Sequence, residues 1–385
     1  MKTKLGICLL IFLTLFPVTG CWDNRDIGKR AFVTAIGLDS TDNDVSAITE
    51  SSKTSKTPKK YKVTFEIVKP VLLTKFSTQR PASIIRTVEA DSIVSALQEV
   101  QSSISRQVGL THMRVLVVGD KIARQNFKDY ADFFEKTPDV ARRLRVMFVE
   151  NSQAADVFQT KPPFEKYVAE ELVTMTQLEP KLPLVRTNSF SNLIRELRAT
   201  EGRAFGNRIM VSEDDKTIIR TGGSVFDKWK LIGWLNAAET EKANWLVGKA
   251  ETTVENKTGQ YVYTYSVNAH SVSLKPVVDG KQLKFTVKVK TDGMIIHEQG
   301  QPIDITKPKN LVKLEKLFSQ VITKEIESAI SKAQKEIGVD YLGFGQALKK
   351  SNPEFFKKIN WDETFPTVPV EVEVKAHIGM VSLSR

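Results

Sequence analysis

The chain has 385 residues, of which 41% are hydrophobic and 26% are charged, and its formal net charge is +11. These fractions exclude a globally disordered chain and allow two or three domains. Basic residues are mixed with acidic ones, which indicates solubility more than attraction to anionic lipid, and no basic run interleaved with aromatic residues and no zinc-finger spacing points to nucleic acid.

The first twenty residues are typical of an export signal. Lys2 and Lys4 precede an apolar run at 5–16, and small residues at 18–20 precede Cys21. Such a run is too short to cross a bilayer core of about 30 Å, which needs about 20 apolar residues. We therefore expect residues 1–20 to be a signal peptide and the remainder to lie on the outer side of the membrane.

Cys21 is the expected site of lipid attachment. Residues 18–20 with Cys21 resemble a bacterial lipobox, whereas the alternative is an ordinary signal peptide followed by a coincidental cysteine. The chain's other cysteine, Cys8, lies within the signal, so cleavage leaves Cys21 without a partner in its own chain. An S-diacylglycerol and an N-acyl group on Cys21 would supply the two or more acyl chains that stable anchoring needs.

Residues 21–160 are expected to form an N-terminal α/β domain. Trp22 either rests in the lipid headgroup layer, where tryptophan is favoured, or packs on this domain. Apolar runs predict strands at 31–38, 61–68, 113–118 and 145–149. Apolar stripes with helical spacing predict helices within 90–108 and at 127–135. The first two strands are expected to pair across a long polar loop.

The rest of the chain is expected to form two further regions. Residues 161–216 are interpreted as a helical middle region or bridge, with helices at 164–175 and 190–197. Residues 217–385 are expected to form a C-terminal α+β domain that begins with a hairpin at 224–235. The overall prediction is a multi-domain α+β fold.

Three long elements define the C-terminal domain. Apolar residues alternate with polar ones at 283–289 and 368–380, which predicts strands of an antiparallel sheet with one buried face. An apolar stripe along 310–337 predicts a long amphipathic helix. We expect this helix to lie on the sheet, the alternative being a free helix that binds a partner.

No motif identifies catalytic, metal or cofactor residues. None of the four histidines has a second histidine at helical ligand spacing, and no HExxH, GxSxG or phosphate-binding loop occurs. Gly343-Phe344-Gly345 is an incomplete glycine fingerprint, and Asp214-Asp215 is more typical of a solvated loop. The prediction is a non-catalytic protein. The alternative is a lipid-anchored enzyme or solute-binding lipoprotein of the cell envelope.

An ordered set of motifs resembles the Ger(x)C family, the C subunits of the germinant receptors of spore-forming bacteria. The set begins with Cys21-Trp22-Asp23 and Arg25 after the lipobox. It continues with YKVTFEI at 61–67, HMRVLVVG at 112–119, GSVFD at 223–227, KLIGWL at 230–235, DYLGFG at 340–345, Asn352-Pro353, Trp361-Asp362 and Phe365-Pro366. Asp26, where glutamate is more usual, and a longer polar loop at 40–60 depart mildly from the pattern.

The resemblance implies a lipoprotein on the outer face of the spore inner membrane. It would work beside a multi-spanning A subunit and a transporter-like B subunit that respond to nutrients. The resemblance implies no catalytic activity, carries lipid attachment over to Cys21, and leaves direct nutrient binding open. Because exposed aromatic residues mark interfaces, we consider these as candidate docking residues, the alternative being that the tryptophans are core: Trp22, Trp229, Trp234, Trp361 and Asp362.

Overall fold

The computed structural model describes residues 29–41, 60–68, 82–177, 184–186, 189–214, 216–247, 252–258, 261–299, 304 and 307–381. The predictions for the signal peptide, Cys21 and Trp22 lie outside the described residues. Within those residues the chain builds two sheets with helices packed on them, which confirms the α+β class.

The first sheet forms the N-terminal unit. Its strands are β1 (Arg30–Ser40), β2 (Tyr61–Val68), β3 (Ser83–Ala90), β4 (Gln107–Gly109), β5 (Val115–Val118), β6 (Arg145–Val149), β7 (Ala204–Val211), β8 (Ile218–Asp227) and β9 (Lys230–Leu235). Their order is β3-β2-β1-β5-β6-β7-β8-β9, with β4 beside β1. The central strands from β1 through β5 and β6 to β7 run parallel, and hairpins add antiparallel strands at both sides.

Helices cover both faces of this sheet. They are α1 (Ile93–Ser102), α2 (Asp120–Ala123), α3 (Phe127–Lys136), α4 (Ala154–Val157), α5 (Val168–Gln177) and α6 (Phe190–Ala199). One face packs against α1, α2, α3 and α6, and the other against α4 and α5. Strand β5 is therefore buried at every position, since Leu116 and Val118 point to one layer and Val115 and Val117 to the other.

The first sheet extends beyond the region where we expected it to end. Helices α5 and α6, interpreted from sequence as part of a middle bridge, pack on its two faces. The hairpin β8–β9, expected in the C-terminal domain, joins it through β7. Periodicity in a sequence can identify a strand, but it does not identify the strand with which that strand pairs. The backbone N–H and C=O groups of β7 bond to β6, which lies more than 50 residues earlier in the chain.

The second sheet forms the C-terminal unit. Its strands are β10 (Thr252–Thr258), β11 (Tyr261–Asp279), β12 (Gln282–Gln299) and β13 (Val370–Val381), in that order across the sheet. The accompanying helices are α7 (Ala237–Val247), α8 (Pro308–Ser331), α9 (Phe344–Ser351), α10 (Pro353–Phe356) and α11 (Trp361–Thr364). A π-helical turn, Lys332–Ile337, continues α8.

The long helix lies on the sheet, as predicted. Its buried stripe forms one apolar cluster with the inner face of the second sheet, where Phe285, Val287 and Val289 of β12 are buried at every second position. The stripe consists of Leu314, Phe318, Ile322, Ile326, Ala329 and Ile330. This core continues into the first unit through residues of β7, β8 and β9, so the two sheets share one apolar cluster.

Strand β13 differs from the expectation in its direction. It pairs with β12 in parallel, so the second sheet is mixed and not purely antiparallel. A parallel pair needs a long crossover, and the helical segment between β12 and β13 supplies it.

Side chains of α8 reach the outer edge of β13. Ser319 Oγ accepts the N–H of Ala376 at 2.9 Å, and Glu315 Oε1 accepts the N–H of Ile378 at 2.9 Å. Glu315 also lies 3.0 Å from Nδ1 of His377. The strand edge is thus tied to the helix as well as to β12.

Two buried carboxylates attach helices to the β1–β2 hairpin. Asp39 accepts the backbone N–H groups of Ala154 and Ala155 at 2.7 and 3.0 Å. Glu66 accepts those of Val168 and Ala169 at 2.8 and 2.9 Å. Each carboxylate therefore caps a helix N-terminus from a neighbouring strand.

Burial dominates the ionisation of Asp39. Desolvation raises its pKa from 3.8 to about 6, although the two backbone N–H groups favour the charged form. Desolvation likewise raises the pKa of Glu66. A raised pKa means that the folded state binds the proton of Asp39 more tightly than the unfolded state does. Protonation of Asp39 therefore stabilises the fold fully below pH 4, and this stabilisation is lost as the pH rises through 6.

We therefore expect the folded protein to become more stable as the pH falls from 7 to 5. Asp39→Asn should lower the free energy of unfolding at pH 5 and flatten its dependence on pH between 4 and 6. Urea unfolding at several pH values measures both effects. Exposed Asp139→Asn is the control and should keep the wild-type slope, and an unchanged slope in Asp39→Asn would contradict the assignment.

Candidate functional site: the junction between the two units

Three of the predicted docking residues meet where the β8–β9 hairpin contacts the C-terminal helices. Trp229 lies in the turn of the hairpin, and Trp361 and Asp362 begin α11. Arg203, which precedes β7, connects them. These residues hold the two units of one chain together.

The hairpin turn places Trp229 inside this junction. Lys228 and Trp229 both have positive φ, 48° and 65°, as a two-residue turn of type I′ requires. Residues other than glycine and asparagine rarely adopt this conformation, so surrounding contacts must stabilise it. The N–H of Trp229 donates to the carbonyl of Gly202 at 3.0 Å, and its carbonyl accepts the N–H of Phe127 at 2.8 Å.

Gly202 is needed for this approach. It has a φ of +94°, and a Cβ atom there would lie 2.5 Å from Cδ1 of Trp229. Trp229 is partly buried and packs against the core of the N-terminal unit. Its ring is therefore part of the fold and not a free aromatic surface.

Arg203 is the charged centre of the junction. It is 9% exposed and its guanidinium lies between two carboxylates, with Nε 3.1 Å from Asp227 and Nη2 paired with Asp362. Its Nη1 donates to the carbonyl of Thr200 at 3.2 Å. Lys228 Nζ lies 3.2 Å from the other oxygen of Asp362. Asp362 thus links α11 to the residue before β7 and to the turn of the β8–β9 hairpin.

Trp361 is a core residue. It is 7% exposed, and its indole Nε1 donates to Oδ2 of Asp340 at 3.1 Å. Its ring packs near Phe285, Phe356 and Phe365, with centroids 5.7 to 6.1 Å away. The docking interpretation needs an exposed ring, and the ring of Trp361 is buried.

Asp340 holds the start of α9. Its carboxylate accepts the backbone N–H groups of Gly343, Phe344 and Gly345 at 2.9, 3.1 and 2.6 Å, in addition to the indole of Trp361. Burial raises its pKa, and these four donors act in the opposite direction. The DYLGFG segment noted in the sequence is therefore a helix-capping structure.

Trp234 lies apart from the junction on β9. It is partly buried against the N-terminal core, and the guanidinium of Arg208 lies over its ring at 6.0 Å from the centroid. Arg208 in turn pairs with Glu150. The structure thus brings Trp361 and Asp362 together at the start of α11 and places Trp229 next to Lys228, which pairs with Asp362, whereas Trp234 lies elsewhere.

An open cleft of about 860 Å³ lies beside the junction. The first unit contributes one wall with Glu196, Thr200 and Arg203, and α9 and β11 contribute the other. Apolar side chains cover much of the inside. They are Leu246, Val247, Leu274, Pro276, Leu342 and Ala347.

Charged side chains in the cleft differ in how they are paired. Arg186 is buried and pairs with Glu196 at 3.1 Å, and its other nitrogens reach the carbonyls of Val247 and Phe205 at 2.9 and 3.4 Å. Burial lowers the pKa of Arg186, and the carboxylate of Glu196 opposes this. Within the described residues, the side chains of Lys275 and Lys350 form no ion pair and no hydrogen bond, and Lys275, paired with Thr286, lies on the outer face of the sheet.

Sequence reasoning missed several residues of this region. Arg203 and Lys350 are single basic residues in mixed surroundings, and no local pattern distinguishes them.

Phe164 is the most exposed of the large hydrophobic side chains in the described chain, at 90%. The sequence interpretation placed it at the start of the helix predicted at 164–175, whereas the structure begins that helix at Val168 and leaves Phe164 in the loop before it.

The described residues contain neither a metal-binding cluster nor a membrane-spanning helix. In the part of the chain that the structure covers, no group of three or more His, Cys, Asp or Glu side chains is arranged to hold a metal ion. No helix among the same residues is both long and apolar enough to span a membrane.

Two family models match consecutive parts of the chain, and the β8–β9 hairpin of the first sheet falls almost wholly within the C-terminal one. Residues 23–208 match "Spore germination protein N-terminal domain", and residues 221–381 match "Spore germination B3/ GerAC like, C-terminal". Spore germination protein B3 of Bacillus subtilis (strain 168) is 24% identical over 398 residues, which cover 98% of this chain and 98% of that protein. Spore germination protein KC of the same organism is 24% identical over 413 residues, which cover 100% of this chain and 97% of that protein.

A solved structure shares the fold. The crystal structure of the GerBC protein matches with a TM-score of 0.55 and 18% identity, over 90% of this chain and 98% of that chain. The similarity in fold therefore extends over most of both chains.

Proposed function

The chain belongs to the spore germination B3/GerAC-like family, and from this membership we propose that it is a lipid-anchored, non-catalytic subunit of a nutrient germinant receptor. The observation that carries the proposal is the match of residues 23–208 and 221–381, in order, to the N-terminal and C-terminal models of that family. Relatives named as spore germination proteins cover nearly the whole chain. The ordered motifs from Cys21-Trp22 to Phe365-Pro366 support the same conclusion.

Localisation in this proposal depends on Cys21. The lipidated cysteine would hold the two units at the outer face of the spore inner membrane, beside A and B membrane subunits. Tethering restricts the search for these partners to two dimensions and raises their effective concentration. The lipobox-like residues 18–20 and the single cysteine left after cleavage support lipid attachment.

The rival proposal, a lipid-anchored enzyme or solute-binding protein, has less support. The buried carboxylates Asp39, Glu66 and Asp340 each accept backbone N–H groups at helix N-termini, so the structure engages them in the fold. A solute-binding protein of the usual kind has two parallel α/β lobes, whereas the second unit here is a four-stranded mixed sheet with one long helix.

Phe164 is our candidate contact for the membrane subunits. Aromatic side chains are enriched at protein interfaces, and this ring extends into solvent after two prolines. By contrast, Trp229 and Trp361 are occupied by contacts within the chain. We therefore propose the loop that precedes α5 as the docking surface, in place of the residues of the junction.

Affinity purification tests the proposal. The chain with a C-terminal tag should recover A and B subunits from detergent extracts of spore inner membranes, as identified by mass spectrometry. Phe164→Ser should reduce this recovery several-fold without lowering the melting temperature, because the ring is exposed. Val312→Ser is the control, since Val312 is apolar and 62% exposed on the other unit. Recovery of the tagged chain with neither subunit would contradict the receptor assignment.

A further inference from the structure

We propose that the outward face of α8 rests on a bilayer that carries anionic lipid, through four lysines that we name the lysine row. The row consists of Lys309, Lys313, Lys316 and Lys324. This inference rests on the proposal that the chain is held at a membrane. It adds which side of the chain faces that membrane.

The helix gathers these lysines on one side. Positions 309, 313, 316 and 324 follow the turn of an α-helix, so their side chains form one row about 22 Å long. In the sequence the same lysines are interspersed with glutamates, and only the helix separates the two charges. The mixed composition of this segment therefore gives no sign of the row.

The exposed face of α8 carries no carboxylate along the row. Every exposed position from 309 to 324 is a lysine of the row, Val312 or Gln320. The buried stripe of α8 lies on the opposite side, in the core of the second unit. Glu327, beyond Lys324, is the first exposed carboxylate of the helix.

The other two carboxylates of α8 are bound within the chain. Oε1 of Glu315 accepts the N–H of Ile378 at 2.9 Å and lies 3.0 Å from Nδ1 of His377. Oε2 of Glu325 accepts the indole N–H of Trp245 at 2.7 Å. Neither carboxylate is therefore available to neutralise the row.

The four lysines also lack partners from other elements. Within the described residues, their side chains form no ion pair and no hydrogen bond. By contrast, Lys284 and Lys288 of β12 each pair with a glutamate of β13, at 3.2 and 2.8 Å. The row is thus a surface of one charge whose ammonium groups remain available to an anionic partner.

An anionic bilayer fits this row better than an acidic protein does. The guanidinium of arginine is a rigid fork that recognises a single carboxylate or phosphate, whereas the ammonium of lysine is a point charge on a flexible stem. The row contains lysine and no arginine. A continuous row of mobile point charges matches a broad surface of phosphates, whose potential attracts each nearby lysine. Four lysines alone bind such a surface weakly, so the row orients a tethered chain and does not replace the anchor.

Lysine labelling of the full chain on vesicles tests the proposal. The chain is purified in detergent and reconstituted into vesicles of phosphatidylcholine, alone or with an equal part of phosphatidylglycerol. A water-soluble acylating reagent modifies exposed lysines, and peptide mass spectrometry gives the rate at each position. We expect the row to react several-fold more slowly on the phosphatidylglycerol vesicles, and high salt to remove this difference.

Lys275 and Lys290 are the internal controls. Both are exposed on the outer face of the second sheet, whereas α8 packs with the inner face. A bilayer that contacts α8 would therefore lie on the other side of the sheet from these two lysines. They should react at nearly the same rate on both kinds of vesicle.

Variants separate the row from general charge. Lys316 should lose its protection in the triple variant Lys309→Gln, Lys313→Gln and Lys324→Gln, because a single lysine is attracted too weakly. The matched variant removes the same charge from exposed positions off α8 and should keep Lys316 protected. It carries Lys275→Gln, Lys281→Gln and Lys290→Gln.

The proposal is overturned if the row reacts equally fast on both vesicles, if Lys275 and Lys290 slow by the same factor, or if Lys316 stays protected in the row variant. It is also overturned in favour of an acidic protein if phosphatidylglycerol has no effect and solubilised spore membrane proteins protect the row in detergent.

Flotation of the same vesicles reports the anchor separately. Phosphatidylcholine has no net charge, so the chain floats with these vesicles through its lipid alone. A chain that floats only with phosphatidylglycerol vesicles would contradict the anchor and support the row. A chain that floats with neither would overturn both proposals.

Discussion

Replacing Cys21 by alanine should release the chain from the membrane and abolish the germination response to nutrients. A single acyl chain binds a membrane only marginally, at about 10⁴ M⁻¹, whereas two chains anchor stably. Removing the thiol removes every chain attached through it and leaves nothing but protein contacts for retention. Fractionation of spore lysates measures the first effect, and the loss of optical density after nutrient addition measures the second.

Cys8→Ala provides a matched control for this experiment. Cys8 is the other cysteine of the chain and lies in the apolar run of the signal, so its replacement should leave both properties at wild-type level. Mass measurement of the mature N-terminus should detect a diacylglycerol and an acyl group on Cys21 in the control. Wild-type membrane retention and germination in Cys21→Ala would defeat the anchor proposal.

Trp361→Ala should destabilise the folded protein by about 3 to 5 kcal/mol, the usual cost of truncating a buried aromatic side chain. Three aromatic rings lose a neighbour, and Asp340 loses one of its donors. Trp361→Phe keeps most of the packing but removes the indole N–H, so we expect a smaller cost of about 1 to 3 kcal/mol. Urea unfolding of the two variants separates packing from hydrogen bonding.

Asp362→Asn is the control at the neighbouring position. The side chain of Asp362 is 46% exposed, so its ion pairs should contribute about 1 kcal/mol or less. The contrast between adjacent residues tests whether Trp361 belongs to the core. If Trp361→Ala lost partner binding while keeping wild-type stability, the ring would be a docking residue and the assignment to the core would be wrong.

Local periodicity was sufficient to predict several elements. The strand at 61–68 and the one at 145–149 occur with the predicted limits, and the helix expected at 310–337 occupies 308–331 with its π-helical extension. In each case the apolar residues recur with the period of a strand or of a helix, because one face of the element is buried. This pattern can be recognised from the segment alone. Helix α7 was missed, because its buried residues include polar Thr240 and Asn244 and form no clear apolar stripe.

Long-range pairing was not predictable in the same way. The hairpin at 224–235 was recognised, but its place as the end of the first sheet depends on β7 and β6, which lie far away in sequence. The contacts at the junction were likewise not predictable from local sequence. Trp361 and Asp362 were recognised as part of the motif set and as docking candidates, whereas their partners Asp340 and Arg203 lie 21 and 159 residues away in sequence.

The contacts between α8 and the outer edge of β13 have a consequence for chains concentrated at a surface. An unpaired strand edge is a template on which a second chain can add a strand. Ser319 and Glu315 occupy the N–H groups of Ala376 and Ile378 that such an added strand would need. If copies are anchored to one bilayer through Cys21, as proposed above, they can crowd together with this part of the edge protected from fusion into a continuous intermolecular sheet.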